Sequence, residues 1–217
     1  YHSLYSLTSG DYNTSVGGKA GKSITTGTYN TMMGYHAGTN LDTGTHNTYF
    51  GYAAGYGADV TTSGSYNTAV GFYAGVGIQG AAAGHTFVGY RCGEALTTAT
   101  TGPAVGIGFE ALNDITTGAY NTGLGYRALT KVTEGQSNVA VGFNALYTNV
   151  DCDENVAVGH NALYTYNGSS GEGDNVAVGH EAGKYISTGE GNTHLGHKAG
   201  YGASGAASTG DNNTGMG

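Results

Sequence analysis

Internal repetition constrains this chain more than any other property. A unit Asn-Thr/Val-x-apolar-Gly-x-x-Ala-Gly/Leu recurs, with its first residue at Asn13, Asn30, Asn47, Asn67, His85, Ala104, Asn121, Asn138, Asn155, Asn175, Asn192 and Asn213. The intervals run from 17 to 21 residues, and 17 is the commonest. Self-similarity at such a period marks stacked supersecondary units, none of which buries its apolar face alone. Residues 1–9 form a leading segment and 10–217 the array. The array stops in mid-unit at Gly217 without a polar cap, so the expectation is a segment of a longer fibre or a unit that stacks on a neighbour.

The columns of the repeat have separate meanings. One residue after the Asn stands Thr or Val, from Thr14 and Thr31 to Thr193 and Thr214. Three after it stands an apolar residue, among them Val16, Met33, Phe50, Ile107, Val141 and Leu195. Residues two apart on a strand share a face, and β-branched side chains favour strands. Both columns are therefore expected to point inward, on strands of roughly five to eight residues. Seven after the Asn is Ala, or Cys92. Eleven after it there is often an apolar plug, such as Ile24, Leu41, Ile78, Leu96 or Ile115.

Glycine holds the fourth position after the Asn in every unit, including Gly34, Gly51, Gly71, Gly125, Gly142, Gly159 and Gly179. Either this residue takes φ > 0 or another backbone comes too close for a Cβ. The next position is aromatic: Tyr35, Tyr52, Phe72, Tyr90, Phe109, Tyr126 and Phe143, then His160, His180 and His197. These rings are expected to form a continuous ladder. The fold class that follows is all-β: a repetitive parallel β-roll or β-solenoid of about twelve coils of 17–21 residues. Each coil has few apolar groups to bury, and a Gly in each lets neighbouring backbones meet, so a homotrimeric fibre segment is expected.

Composition closes off the alternatives. The 42 Gly with many Thr, Ser and Asn exclude a helical protein, and a single Pro excludes collagen. Eighteen Tyr and only 10% charged residues are unlike a disordered tail. A net charge of −8, with seven basic residues spread thinly, gives no nucleic-acid footprint. No apolar run approaches a membrane span, so no membrane insertion is expected. Cys92 and Cys152 fit no metal or redox spacing and read as two reduced thiols.

The segments Asn67–Gly71, Asn138–Gly142 and Asn155–Gly159 resemble the Asn-Ser/Thr-x-x-x-Gly core of YadA-like heads in trimeric autotransporter adhesins. The longer pattern Thr-Gly-x-Tyr-Asn-Thr-x-x-Gly-x-x-Ala-Gly/Leu resembles the repeat arrays of bacteriophage tail fibres still more. The resemblance implies a homotrimeric, extracellular β fibre on a virion or cell surface. The unit here is longer than the adhesin unit.

Candidate sites are few. His160, His180 and His197 occupy one column of consecutive coils and are candidate metal ligands. Asp151, Asp153 and Glu154, with Glu172 and Asp174, form acidic turns that are candidates for Ca²⁺. Rings in a ladder and solvated turns are the simpler readings, so no cofactor is expected. Catalysis is not expected either, since there is no nucleophile elbow and no aromatic groove holding paired carboxylates. Sequons at Asn13, Asn167 and Asn212, and turn residues such as Thr61, Thr98, Ser169 and Ser170, are possible glycan attachment points. An ice-binding face needs outward ranks of Thr, which an inward Thr column rules out. The column six after the Asn (Lys19, His36, Ala53, Tyr73, Arg91 and onward) shows no shared chemistry, unlike a dedicated ligand stripe. The expected function is structural: a shaft or head segment of an oligomeric extracellular fibre, foremost a phage tail fibre acting in host attachment. Its partners are copies of itself and a cell-surface receptor or glycan. The alternatives are a bacterial adhesin head that binds host matrix or glycan, and a self-assembling filament.

Overall fold

The computed structural model describes residues 1–57, 62–78, 80–97, 102–168, 171, 173–202 and 210–217. Thr61, Thr98, Ser169, Ser170 and Glu172 lie outside them. The chain is an all-β solenoid. Among the described residues, twelve strands, β1 (Thr14–Val16) to β12 (Thr214–Met216), form one parallel sheet in strict sequence order. Each strand pairs with the next at the same column, as in Thr14↔Thr31 and Val139↔Val156. At the usual strand spacing the stack is roughly 50 Å long.

The strands have three residues each, shorter than the repeat suggested. Asn precedes every strand except β5 and β6, where His85 and Ala104 take its place, and Gly follows each strand. At Gly142 φ is +135°, and an added Cβ would stand 2.5 Å from the carbonyl oxygen of Gly159 in the next coil. Both readings of the glycine column therefore hold together. The close approach lies between successive coils of one chain, so the glycine needs no neighbouring chain to explain it. Elsewhere the second half of the coil is held by single inter-coil hydrogen bonds such as Gly38 N–H to the Ala54 carbonyl and Leu146 N–H to the Ala162 carbonyl, with isolated bridges at Leu41↔Thr62 and Asp153↔Gly173. Residues 1–9 continue the same winding: His2 and Leu4 are left-handed, as Lys19 and Gly21 are one coil later, and Leu4 N–H donates to the Ala20 carbonyl.

The inward face is the opposite of the one expected. The middle residue of each strand from β2 to β11 is buried and its two neighbours are half-buried or exposed; at the end strands β1 and β12 the middle residue is half-buried. The Thr/Val and third-position apolar columns do share a face, but it is the outer one. The cause is the Asn. Its side chain is buried in coil after coil, so the period of two puts the second residue after it inside as well. The buried amides form a ladder along the axis. The backbone N–H of Asn30, Asn47 and Asn67 each donates to the Oδ1 of the preceding Asn at 3.0 Å. The amide nitrogens donate to turn carbonyls, such as Asn13 to Gly27 at 2.8 Å and Asn138 to Cys152 at 2.8 Å. Turn backbone that would otherwise be stranded inside is satisfied by these bonds.

Around the ladder the core is a volume balance between two columns. Where the mid-strand residue is large, the eighth residue after the Asn is Gly: Met32 with Gly38, Tyr49 with Gly55, Phe87 with Gly93, His194 with Gly200. Leu takes that position only beside a small mid-strand residue: Gly106 with Leu112, Gly123 with Leu129, Ala140 with Leu146, Ala157 with Leu163; Ser15 with Gly21, Ala69 with Gly75 and Ala177 with Gly183 are small at both. A Cβ at Gly55 would meet the Tyr49 ring at 2.5 Å, and one at Gly93 would meet the Phe87 ring at 2.6 Å. The Ala column and the plugs Ile24, Leu41, Ile78, Leu96, Ile115 and Val132 complete the interior. Cys92 and Cys152 are buried in it and form no disulfide.

Candidate functional site

The strand faces turn two columns to solvent along the whole stack. The first holds Thr or Val; the second holds Val16, Met33, Phe50, Val70, Val88, Ile107, Leu124, Val141, Val158, Val178, Leu195 and Met216. Phe50 is 53% exposed, Ile107 43% and Leu195 40%. Neither column contains a charged residue. The ion pairs Arg91–Glu94, Arg127–Glu110, Lys131–Asp114 and Lys184–Glu181 all belong to the turns six to ten residues after the Asn. A regular, uncharged and largely apolar strip of this length is beyond what an isolated surface usually shows.

One residue past the glycine, the structure brings the expected rings into a single file. Tyr35, Tyr52, Phe72, Tyr90, Phe109, Tyr126 and Phe143 stack with centroids 4.9–5.7 Å apart and planes within 23°. His160, His180 and His197 continue the file at 5.0–5.2 Å. A second file, Tyr12, Tyr29, His46 and Tyr66, stacks at 4.8–4.9 Å just before the Asn column. The stacked imidazoles present faces to one another. Their nitrogen lone pairs lie in the ring planes and run parallel, which does not converge on a metal.

The acidic turns are hydrogen-bond acceptors for the coil above. Asp151 accepts from the Thr133 hydroxyl at 3.0 Å, and Asp153 accepts from the Gln136 N–H at 2.7 Å. Glu154 is exposed, with a left-handed backbone. Among the described residues no group of three or more His, Cys, Asp or Glu is placed to hold a metal ion. Burial pushes the Cys92 thiol up to about 12, which makes it a poor nucleophile. Burial also lowers the pKa of His85 to about 4. That residue stands in the Asn column as a neutral ring, and its Nδ1 accepts the Ala104 N–H at 3.1 Å.

The ground for setting aside an ice-binding face has gone, since the Thr column points outward. The column beside it still argues against a flat lattice, because Met33, Phe50 and Leu124 have unequal lengths. Sequence reasoning missed the mid-strand column and its balance with the eighth position. The signal was that Leu appears at that position only where the residue six before it is Gly or Ala, and never beside Met32, Tyr49, Phe87 or His194. Comparison with protein-family models, with curated proteins and with solved structures found no match.

Proposed function

We propose that this chain is a structural shaft or head segment of an extracellular oligomeric fibre, and that its strand faces pack against those of parallel copies. The observation that carries the reading is the uncharged, largely apolar strip along twelve in-register coils. Equal rungs at constant rise suit a neighbour with the same rise, and a second copy in parallel is the simplest such neighbour. Three chains close a ring around one axis, with each strip facing the other two. The resemblance of the repeat to phage tail fibres makes host attachment on a virion surface the leading setting. A bacterial surface adhesin is the second reading, through the shorter Asn-x-x-x-Gly core.

Native mass measurement at sub-micromolar concentration tests the assembly. The expected mass is three times the 21.9 kDa of one chain. A folded monomer under these conditions overturns the reading and leaves a single-chain solenoid.

A further inference from the structure

In the two stacked files, each ring spends its faces on its neighbours, so only edges reach solvent. One place differs. In the column six after the Asn, the second coil carries His36, the third Ala53 and the fourth Tyr73. The small Ala53 leaves a one-coil gap between two rings, and Tyr56 flanks it. The result is an open cavity of about 250 Å³ lined by His36, Tyr52, Ala53, Tyr56 and Tyr73. The rings bordering it are turned across the file. Tyr73 lies at 84° to Tyr52 and 87° to Phe72. His36 lies at 83° to Tyr35 and 68° to Tyr56. Tyr52 and Phe72 have both faces in the file, so they meet one face of Tyr73 with their edges, and its opposite face stands outside the stack.

The polar groups are fixed as well. The Thr39 hydroxyl donates to the Lys19 carbonyl at 2.9 Å and so has no proton left for His36. The His36 Nδ1, 3.1 Å from that hydroxyl, is then the donor. Its Nε2 is left as an acceptor on a neutral ring. Burial, Lys19 and Lys22 all hold the His36 pKa below its usual value. The tyrosine hydroxyls of the lining both donate and accept.

We propose that this notch is a binding site for one pyranose ring of a neutral glycan. The C–H bonds of a sugar face carry the partial positive charge that the negative face of an aromatic ring attracts. Sugar hydroxyls match the His36 acceptor and the tyrosine hydroxyls. The cavity falls below the roughly 300–1,000 Å³ of drug-sized pockets, so it takes a single ring with the rest of the chain outside. An aromatic cage also attracts quaternary ammonium groups. Here the positive charges of Lys19 and Lys22 act on His36 and disfavour a cation. The site uses the turn columns and not the strand strip, so it stands or falls separately from the assembly proposed above.

The test uses the full chain and neutral hexasaccharides of glucose, galactose, mannose and N-acetylglucosamine, read by ligand-observed NMR and calorimetry. At least one is expected to bind. Tyr73→Ala removes one wall, and Ala53→Tyr fills the floor. The backbone at Ala53 (φ 51°) already matches that of Tyr73 (φ 56°), so the column accommodates the larger side chain. Each change is expected to weaken binding by about tenfold or more. Asn144→Ala, in the same column five coils on, is expected to leave it unchanged. If Tyr73→Ala fails to fold, Ala53→Tyr decides. Three results overturn the site: no hexasaccharide binds, binding survives Ala53→Tyr, or tetramethylammonium binds where the sugars do not. Native mass recorded on the same variants separates this outcome from that of the assembly. A monomer that still binds sugar overturns only the assembly.

Discussion

At the scale of single residues, the fold depends on side chains that serve the backbone of the next coil. Gly142 is one. A Val there needs a left-handed backbone and a Cβ 2.5 Å from the Gly159 carbonyl oxygen. Gly142→Val is expected to cost several kcal/mol and to move the urea midpoint sharply or prevent folding. Parent-like urea unfolding of the variant would show that the coil can yield at this point. His85 gives a pH signature. Its folded pKa is lowered to about 4 from 6.5, so the unfolded chain binds the proton more readily. The stability this neutral ring allows is complete above pH 6.5 and falls as the pH drops toward 4. His85→Asn restores the column's usual residue and has no proton to take up. Between pH 7 and pH 4.5 the parent is expected to lose about 2 kcal/mol more than the variant by urea unfolding. Equal losses would mean that His85 titrates normally. Sequence alone left the glycine column with two explanations, because a missing Cβ reads the same whichever constraint requires it.

At the scale of the coil, the repeat period, the parallel pairing and the ring ladder were legible, because each is a statement about equal spacing. The direction of the strand was not. Thr14 and Val16 read as inward, because Thr alternates with Val along the first column and the apolar column shares its face, yet a strand's parity is set by its most demanding member. In this coil that member is the Asn amide, which must lie inside to bond with turn carbonyls. The balance between the mid-strand column and the eighth position was legible in principle, as paired changes along one chain. It makes a sharp prediction. Gly55→Leu drives a side chain into the Tyr49 ring and is expected to destabilise by about 1–3 kcal/mol or more. Tyr49→Ala alone opens a cavity and is expected to cost about 3–5 kcal/mol. The double variant recreates the Ala140–Leu146 pairing, with Leu in the left-handed conformation that Leu146 already adopts (φ 51°). A double-mutant cycle is expected to show coupling of about 1–3 kcal/mol in favour of the pair. Additive losses would refute the compensation.

At the scale of the whole molecule, the exposed strip decides how the rod exists in solution. Val141→Asp and Val158→Asp place two charges on adjacent rungs of it without touching the core. If the strips pack together, the double variant is expected to sediment as a monomer with an unchanged β-type circular dichroism spectrum. A trimer that persists would place the interface on another face.

The hydrogen bonds between coils all run along the rod, from Thr14 N–H to the Asn30 carbonyl and onward. A load applied between the two ends is therefore carried in series, one coil at a time, and the weakest coil yields first. A lone chain pulled in a force spectrometer would peel rather than shear. Each event would release roughly 50 Å of slack, the extended length of a coil less one rung. Chains bound side by side share that load in parallel, which turns a thread that unwinds into a cable that holds.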